Sequence, residues 1–462
     1  MGQFLSQIRI RVPRQFAFGW HEKESAFDRL TPPWENLELV SRTGNLEAGE
    51  VQLRKKIGPI WISLLAKHSQ FIQNEQFYDE LSGGPFKHWE HLHQFKSVDA
   101  DQTELEDQIR YQLRGGFLGN LLAGRFVQKQ LGQLFAYRRE VCKHEIEDHF
   151  RLDQAKSKTI AVTGSNGLIG KSICQLLSNG GHRVIPLPRL TLKSSQEQVG
   201  WIPETGQVKL PAGLSAVDCF LHLAGYGIAD RRWNSSVKKL IHDSRVHTTE
   251  KLTRYLLDHE KVTESFVCAS ASGFYGNRGD QRLEENSEAG QGFLAETCQA
   301  WEAATHKMQA SGLRTVNLRF GVVLSAKGGA LGQMLLPFKM GLGGRIGSGD
   351  QVWSWISFFD ALRAVHFSIV NPELSGPVNI CSPDPQPQRQ FARCLGNVLF
   401  RPACFPLPAF AAKIFLGEMA EFLLLSSARV FPRKLTDCGF RFVHNNLEEA
   451  LRFELGRIKM HS

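Results

Sequence analysis

Two hydrophobic periods divide this chain. Up to about residue 113 apolar residues recur at every second position: Ile8, Ile10 and Val12 alternate with Arg9 and Arg11, as in a half-buried antiparallel strand. A polar, helical stretch over 15–30 ends at Thr31-Pro32-Pro33, and period-two runs follow at 37–40, 50–56, 61–67, 71–77, 88–95 and 106–113. After Gly115-Gly116 the spacing predicts one long amphipathic helix over 117–147, with Leu121, Leu122, Phe126, Val127, Leu131, Leu134 and Phe135 on its apolar face. The polar, basic segment 149–158 then reads as a domain boundary. From Lys158 short β-branched runs alternate with helical ones, the order of a doubly wound parallel sheet. The expected fold is thus α/β, with an α+β domain over 1–150, a Rossmann domain over 158–388 and a small, mainly helical lobe over 389–462.

The first buried strand, 159–163, runs into Gly164-Ser165-Asn166-Gly167-Leu168-Ile169-Gly170. Ile169, Ile173, Leu176 and Leu177 then recur at helical spacing until Gly180 and Gly181, and a second strand covers 183–187. Glycines between strand and helix let backbone approach a pyrophosphate, whose charge meets free N–H groups at the helix start. The G-x-x-G-x-x-G spacing resembles the short-chain dehydrogenase/reductase superfamily, whose extended members use it for a dinucleotide. At the end of the second strand stands Arg189, where NAD-selective sites carry an acid. An arginine suits a 2′-phosphate, and Lys171 adds charge nearby, so NADP is favoured over NAD.

Further motifs narrow the resemblance. Leu223-Ala224-Gly225, Asp230-Arg231-Arg232-Trp233, Asp243-Ser244-Arg245, Ser270-Ala271-Ser272-Gly273-Phe274-Tyr275-Gly276 and Gly328-Gly329 through Trp355 are similar to one atypical epimerase/dehydratase-like subfamily. Pro406 to Phe410, Leu416 to Met419, Arg429-Val430 and Gly439-Phe440 resemble its C-terminal signature. The resemblance covers most of 158–455 and implies cofactor contacts at Gly164 to Gly170, Arg189, Leu223, Ala224, Gly225 and Arg245. Residues 1–145, with Gly84 to Phe95 the most specific part, resemble the helix-grip fold of START-like and polyketide-cyclase proteins. That resemblance implies an apolar ligand cavity, walled by Trp89, His91, Phe95 and the helix around Phe126. His91 and His93 share a strand face, but no third ligand lies nearby in sequence, so no metal is expected.

Superfamily enzymes move protons with a Tyr-x-x-x-Lys pair, the lysine lowering the tyrosine pKa. No such pair occurs here, and the helix expected over 293–309 holds Cys298 where the lysine should fall. Ala271 occupies the usual hydroxyl position, between Ser270 and Ser272. Three readings stay open: Ser270, Ser272 and Tyr275 act in an altered site, Glu296 or Cys298 replaces the pair, or hydride chemistry is lost.

Composition changes this picture little. A length of 462 residues requires more than one core, and a net charge of +9 without a basic block or stripe argues against nucleic-acid binding. Nine cysteines without C-x-x-C pairs suit reduced thiols and a cytoplasmic location. The most apolar run, 405–425, is broken by Lys413, Glu418 and Glu421 and is no membrane span. The expected function is an NADP(H)-binding epimerase or oxidoreductase acting on a small, partly apolar or cyclic substrate. The alternatives are a dinucleotide-dependent sensor without turnover and a recruiting scaffold.

Overall fold

Strand pairing splits the chain into two kinds of sheet. In the computed structural model the described residues are 1–114, 116–152, 157–194, 198–259 and 262–459, without the side chains of 116–122. Met1–Ala155 and Leu455–Ser462 make one unit, Lys156–Glu454 the other. The segment expected as a separate lobe over 389–462 is therefore shared between the two units.

The first unit holds seven strands: β1 (Gly2–Ile10), β2 (Leu37–Thr43), β3 (Glu50–Ile57), β4 (Ile60–Ile72), β5 (Gln76–Gly83), β6 (Phe86–Ser97) and β7 (Thr103–Leu113). They pair antiparallel in the order β1-β7-β6-β5-β4-β3-β2. Helices α1 (Arg14–Glu22), α2 (Ala26–Leu30), α3 (Gly116–Val141) and α4 (Glu147–Leu152) accompany the sheet. Alternate residues of β7, Ile109, Tyr111 and Leu113, pack with Leu131 and Phe135 of α3, as a period of two against a period of 3.6 requires.

Several expectations change here. The 71–77 run is broken at 73–75 by the turn between β4 and β5, with Asn74 at φ 64°, a conformation that asparagine tolerates. Phe126 is 64% exposed and leaves the apolar face of α3, while the side chains of Leu121 and Leu122 lie outside the described residues. The long helix ends at Val141 in a π-helical turn, Cys142–Ile146. His149, expected to open a linker, is instead buried in α4 and accepts a hydrogen bond from Trp20 Nε1 at 2.9 Å; residues 153–156 of that segment lie outside the described ones.

In the second unit β8 (Thr159–Thr163), β9 (Arg183–Leu187), β10 (Val217–His222), β11 (Thr263–Ala271), β12 (Arg314–Phe320) and β13 (Gly376–Ile380) form a parallel sheet in the order β13-β12-β11-β10-β8-β9. The helices used below are α5 (Leu168–Gly180), α6 (Ser235–Asp243), α7 (Val246–Asp258), α8 (Phe293–Ala303), α9 (Gly329–Lys339), α10 (Phe358–Val370), α11 (Gln388–Leu399) and α12 (Ala409–Leu416). The helix expected over 293–309 breaks after Ala303, and a short second piece, His306–Ala310, follows. Strand order reverses at β8, whose neighbours are β9 on one side and β10 on the other. Open parallel sheets form their ligand crevice at such a reversal, beyond the carboxyl ends of the strands. Among the described residues no helix is long and apolar enough to cross a membrane.

Candidate functional site

The three glycines after β8 do different work. Gly164 has φ +70°, and a Cβ there would lie 2.8 Å from Ala224 N and from Leu223 C and O. The turn after β10 is thus pressed onto the loop, with Leu223 N donating to Thr163 O at 3.2 Å. A Cβ at Gly170 would lie 2.0 Å from Gly164 O, so Gly170 serves strand-helix packing. Gly167 is exposed, has φ −73° and would meet only Gly164 O, at 3.2 Å. It is the N-cap of α5 and brings no side chain to the free N–H groups there. Beside it Ser165 is buried, and its Oγ has no hydrogen-bond partner. Asn166 is exposed, and Leu168 and Ile169 are half-buried. An uncapped helix start, an open glycine and an orphan hydroxyl fit a phosphate group.

Arg245 and Arg189, both expected at the cofactor, have different surroundings. Arg245 lies 5.3 Å above the Trp301 ring and donates to Ile241 O at 3.1 Å, and its Cζ would be 3.4 Å from a Cβ at Gly225. Burial pulls its pKa below the ordinary value, against a smaller opposing effect of Cys298, and it has no carboxylate partner among the described residues. Arg189 has a 72% exposed side chain that pairs with Glu204 at 3.0 Å. An exposed pair is worth at most about 1 kcal/mol, whereas a charge-assisted bond to phosphate is worth roughly 1.5–3 kcal/mol. A 2′-phosphate would therefore win Arg189 from Glu204. Arg189→Asp is expected to weaken NADPH binding about tenfold or more while sparing NADH, as read by calorimetric titration of both. Equal affinity of the unsubstituted protein for the two nucleotides would remove the role of Arg189.

The expected catalytic trio is not brought together as a reactive group. Tyr275 is fully buried: its hydroxyl donates to Asn379 Oδ1 at 2.7 Å, accepts from Arg319 Nη1 at 2.9 Å and lies 3.1 Å from Glu284 O. Burial pushes its pKa up to about 12, although Arg319 opposes the rise. Ser270 is also buried and donates to Glu302 Oε1 at 2.6 Å. Glu302 in turn takes both Arg319 Nε and Nη2, each at 2.8 Å. Both residues, expected to act in an altered site, belong to a buried network in which their hydroxyls bond protein partners.

Ser272 differs. It opens the 3-10 turn Ser272–Tyr275 at the carboxyl end of β11, is half-buried, and its hydroxyl makes no hydrogen bond within the described residues. Gly273 follows, 3.8 Å (as a built Cβ) from Cys298 Sγ. Burial pushes the Cys298 thiol up to about 12, so it is no thiolate nucleophile. Glu296 is exposed on α8. Sequence reasoning missed Glu302, Arg319 and Asn379, because none belongs to a motif. A buried-strand pattern that includes an arginine, Thr315 to Phe320, was the one available signal.

The first unit holds a second cluster of titratable groups. Register sets Asp79 of β5 opposite His91 of β6, and His93 opposite Asp107 of β7. His93 Nδ1 lies 2.7 Å from Asp107 Oδ1 and its Nε2 3.2 Å from Asp79 Oδ2, while His91 Nε2 is 2.9 Å from Asp107 Oδ1. His68 Nδ1 also bonds Asp79. Burial works against the charge on His93, but its hydrogen bonds to the two aspartates, and their charges, outweigh it and hold its pKa at about 9. Burial drops His91 to about 4. The missing third metal ligand is thus corrected: Asp79, His91 and His93 bring ligand atoms within 4.8 Å of one another, because the neighbouring strand supplies the carboxylate.

The adjoining cavity, between His93, Asp107, Arg138 and Cys142, is only about 30 Å³, room for one water. Trp89 packs on Phe86 at 4.6 Å, and Phe126, expected on the cavity wall, faces out. A raised histidine pKa adds stability below its unfolded value of about 6.5 that is lost as pH rises through about 9. His93→Gln should therefore flatten the decline in unfolding temperature between pH 6 and 9.5. An unchanged decline would place the titration elsewhere.

Comparison with known proteins agrees with the second unit's geometry. Residues 160–381 match the NAD dependent epimerase/dehydratase family, and residues 407–454 match a domain of unknown function, DUF1731. Both matches lie outside residues 1–150, and the START-like resemblance gains no support from them. An epimerase family protein of Mycobacterium bovis is 42% identical over 298 residues, 64% of this chain and 98% of its own. The crystal structure of a nucleoside-diphosphate sugar epimerase from Corynebacterium glutamicum is similar over 98% of this chain and 90% of that one, at 30% identity and a TM-score of 0.78. Human epimerase family protein SDR39U1, solved with NADPH, matches 64% of this chain and 99% of its own at 30% identity and a TM-score of 0.58. With its glycine loop at the strand reversal and this shared sequence, the chain belongs to the NAD-dependent epimerase/dehydratase family, in the branch that carries a C-terminal DUF1731 segment.

Proposed function

We propose that the protein is an NADP(H)-dependent oxidoreductase of the epimerase type, acting in the cytoplasm on a small, partly apolar or cyclic substrate. The observation that carries this is the open Gly167 beside the unpartnered Ser165 hydroxyl at the uncapped start of α5. Gly164 to Gly170 would hold the pyrophosphate, Arg189 the 2′-phosphate, and Leu223 to Gly225 with Arg245 the far side of the cofactor. The NADPH of the human relative supports this choice of cofactor. When bound, it supplies hydride. Of this chain's own groups, Ser272 is left to hold a substrate oxygen, while Arg245 adds positive charge near the Gly225 turn.

Ser272→Ala should lower kcat/KM by about 10²-fold, the low end of proton-transfer and positioning effects, with cofactor affinity unchanged. Tyr275→Phe should leave turnover intact and lower stability by about 1–2 kcal/mol, the cost of unpairing buried groups. The test is NADPH absorbance in a screen of carbonyl and nucleotide-sugar substrates. Loss of turnover in Tyr275→Phe with normal stability would overturn the assignment.

A second reading, a dinucleotide-dependent sensor, is favoured by one feature: no Tyr-x-x-x-Lys pair, and both Tyr275 and Ser270 locked in protein hydrogen bonds. NADPH binding with no turnover across the screen would select it. For the first unit the helix-grip reading rests on the antiparallel sheet and α3 alone.

A further inference from the structure

The apolar run at 405–425, too interrupted to span a bilayer, stands out on the surface. Five phenylalanines are exposed among the described residues, and four of them, Phe400, Phe405, Phe410 and Phe415, fall in one stretch of 16 residues at 55–72% exposure. Backbone contacts join this stretch to the end of α9, where Leu336 and Met340 are 68% and 64% exposed. Arg401 Nε donates to Lys339 O at 2.9 Å, Phe405 N to Gly343 O at 3.1 Å and Leu407 N to Arg345 O at 2.8 Å. Helix α12 follows directly, with Ala412 buried and Phe410, Ile414 and Phe415 turned outward. Phe400 also sits at φ 56°, a left-handed position that glycine or asparagine would take with less strain. Its backbone caps α11, with Phe400 N donating to Asn397 O at 3.1 Å, and its ring is 67% exposed.

Cations outnumber acids on the segments that carry this face. Arg345, Arg389 and Arg393 open onto a groove of about 600 Å³ beside Ala403, Cys404 and Pro406. Lys339, Arg401 and Lys413, in the same segments, are exposed. Against these six cations stand Asp350, paired with Arg389, Glu418, paired with Lys238 at 2.7 Å, and Glu421, paired with Lys413 at 3.1 Å. Arg345 and Arg393 have no carboxylate partner among the described residues.

We propose that this face docks on anionic lipid bilayers, with α12 and Phe400 entering the headgroup boundary and the arginines meeting lipid phosphates. Exposed aromatic and aliphatic side chains beside basic residues are what interfacial binding needs. A second copy of the chain fits less well, because a two-fold contact would set the arginines against each other. Side chains exposed by more than half are also not lining a ligand pocket.

The test is sedimentation of the full-length protein with phosphatidylcholine vesicles, with and without phosphatidylglycerol. The expected result is binding to the anionic vesicles only, falling as salt rises. Phe410→Ser with Phe415→Ser should weaken that binding at least about tenfold. Arg345→Gln with Arg393→Gln should weaken it by a similar factor, in each case with an unchanged unfolding temperature. Absence of vesicle binding overturns the proposal, and so does equal binding by the doubly substituted Phe variant. Concentration-dependent dimerisation, abolished by the same substitutions in the absence of lipid binding, would assign the face to a second copy and equally overturn it.

Discussion

Gly167→Val is expected to remove NADPH binding from a protein that still folds. The three glycines of the loop are unequal, and their contacts say how. A side chain at Gly170 would meet Gly164 O at 2.0 Å, inside the strand-helix junction, and one at Gly164 would meet the Leu223–Ala224 backbone at 2.8 Å in a left-handed conformation. Those substitutions break the fold and test nothing else. At Gly167 the backbone has an ordinary φ and the nearest atom is a carbonyl oxygen at 3.2 Å, which a small shift accommodates. The branched side chain would instead fill the space before the N–H groups that start α5. Losing two charge-assisted hydrogen bonds, at roughly 1.5–3 kcal/mol each, amounts to at least about a hundredfold in affinity. Calorimetric titration with NADPH, beside a thermal melt, decides it. A folded variant with unchanged affinity would mean that no phosphate rests on this loop.

Arg319→Leu should be among the most destabilising single changes in the second unit. The Arg319 and Glu302 side chains are 4% and 9% exposed and joined by two bonds of 2.8 Å. The guanidinium also donates to Tyr275 Oη at 2.9 Å and Glu285 O at 3.1 Å, and lies 3.5 Å from the Phe274 ring centre. Removing it strands a buried carboxylate and unpairs two further acceptors, at a cost of about 3–5 kcal/mol. Replacing both partners, Arg319→Leu with Glu302→Met, should recover much of that loss, because the uncompensated charge is gone. Urea unfolding of the single and double variants measures the difference. A single variant within about 1 kcal/mol of the parent would show that the network relaxes around the loss. The same network holds Tyr275: its phenol joins Arg319 to Asn379, and its raised pKa keeps it protonated throughout the neutral range.

Local pattern was enough for the elements and the cofactor loop. Periods of two and 3.6, glycine spacing and the α5 C-cap at Gly181, with φ 100°, depend on neighbours a few residues apart, and such signals survive in sequence. The parallel sheet and the position of Gly164 to Gly170 follow from them. The chemistry of individual groups did not, because it depends on what other strands bring. Asp79 meets His93 only through the pairing of β5 with β6. Ser270 and Tyr275 lose their hydroxyls to Glu302 and Asn379, 32 and 104 residues further on. Phe126 lies at core spacing in its helix yet faces outward, and Arg189 carries a counter-charge from Glu204 that no motif announces. Burial and hydrogen-bond partners are properties of the packed chain. Sequence alone marked the glycine loop, while the tertiary structure decided which hydroxyls are taken by protein partners, those of Ser270 and Tyr275, and which are not, those of Ser165 and Ser272.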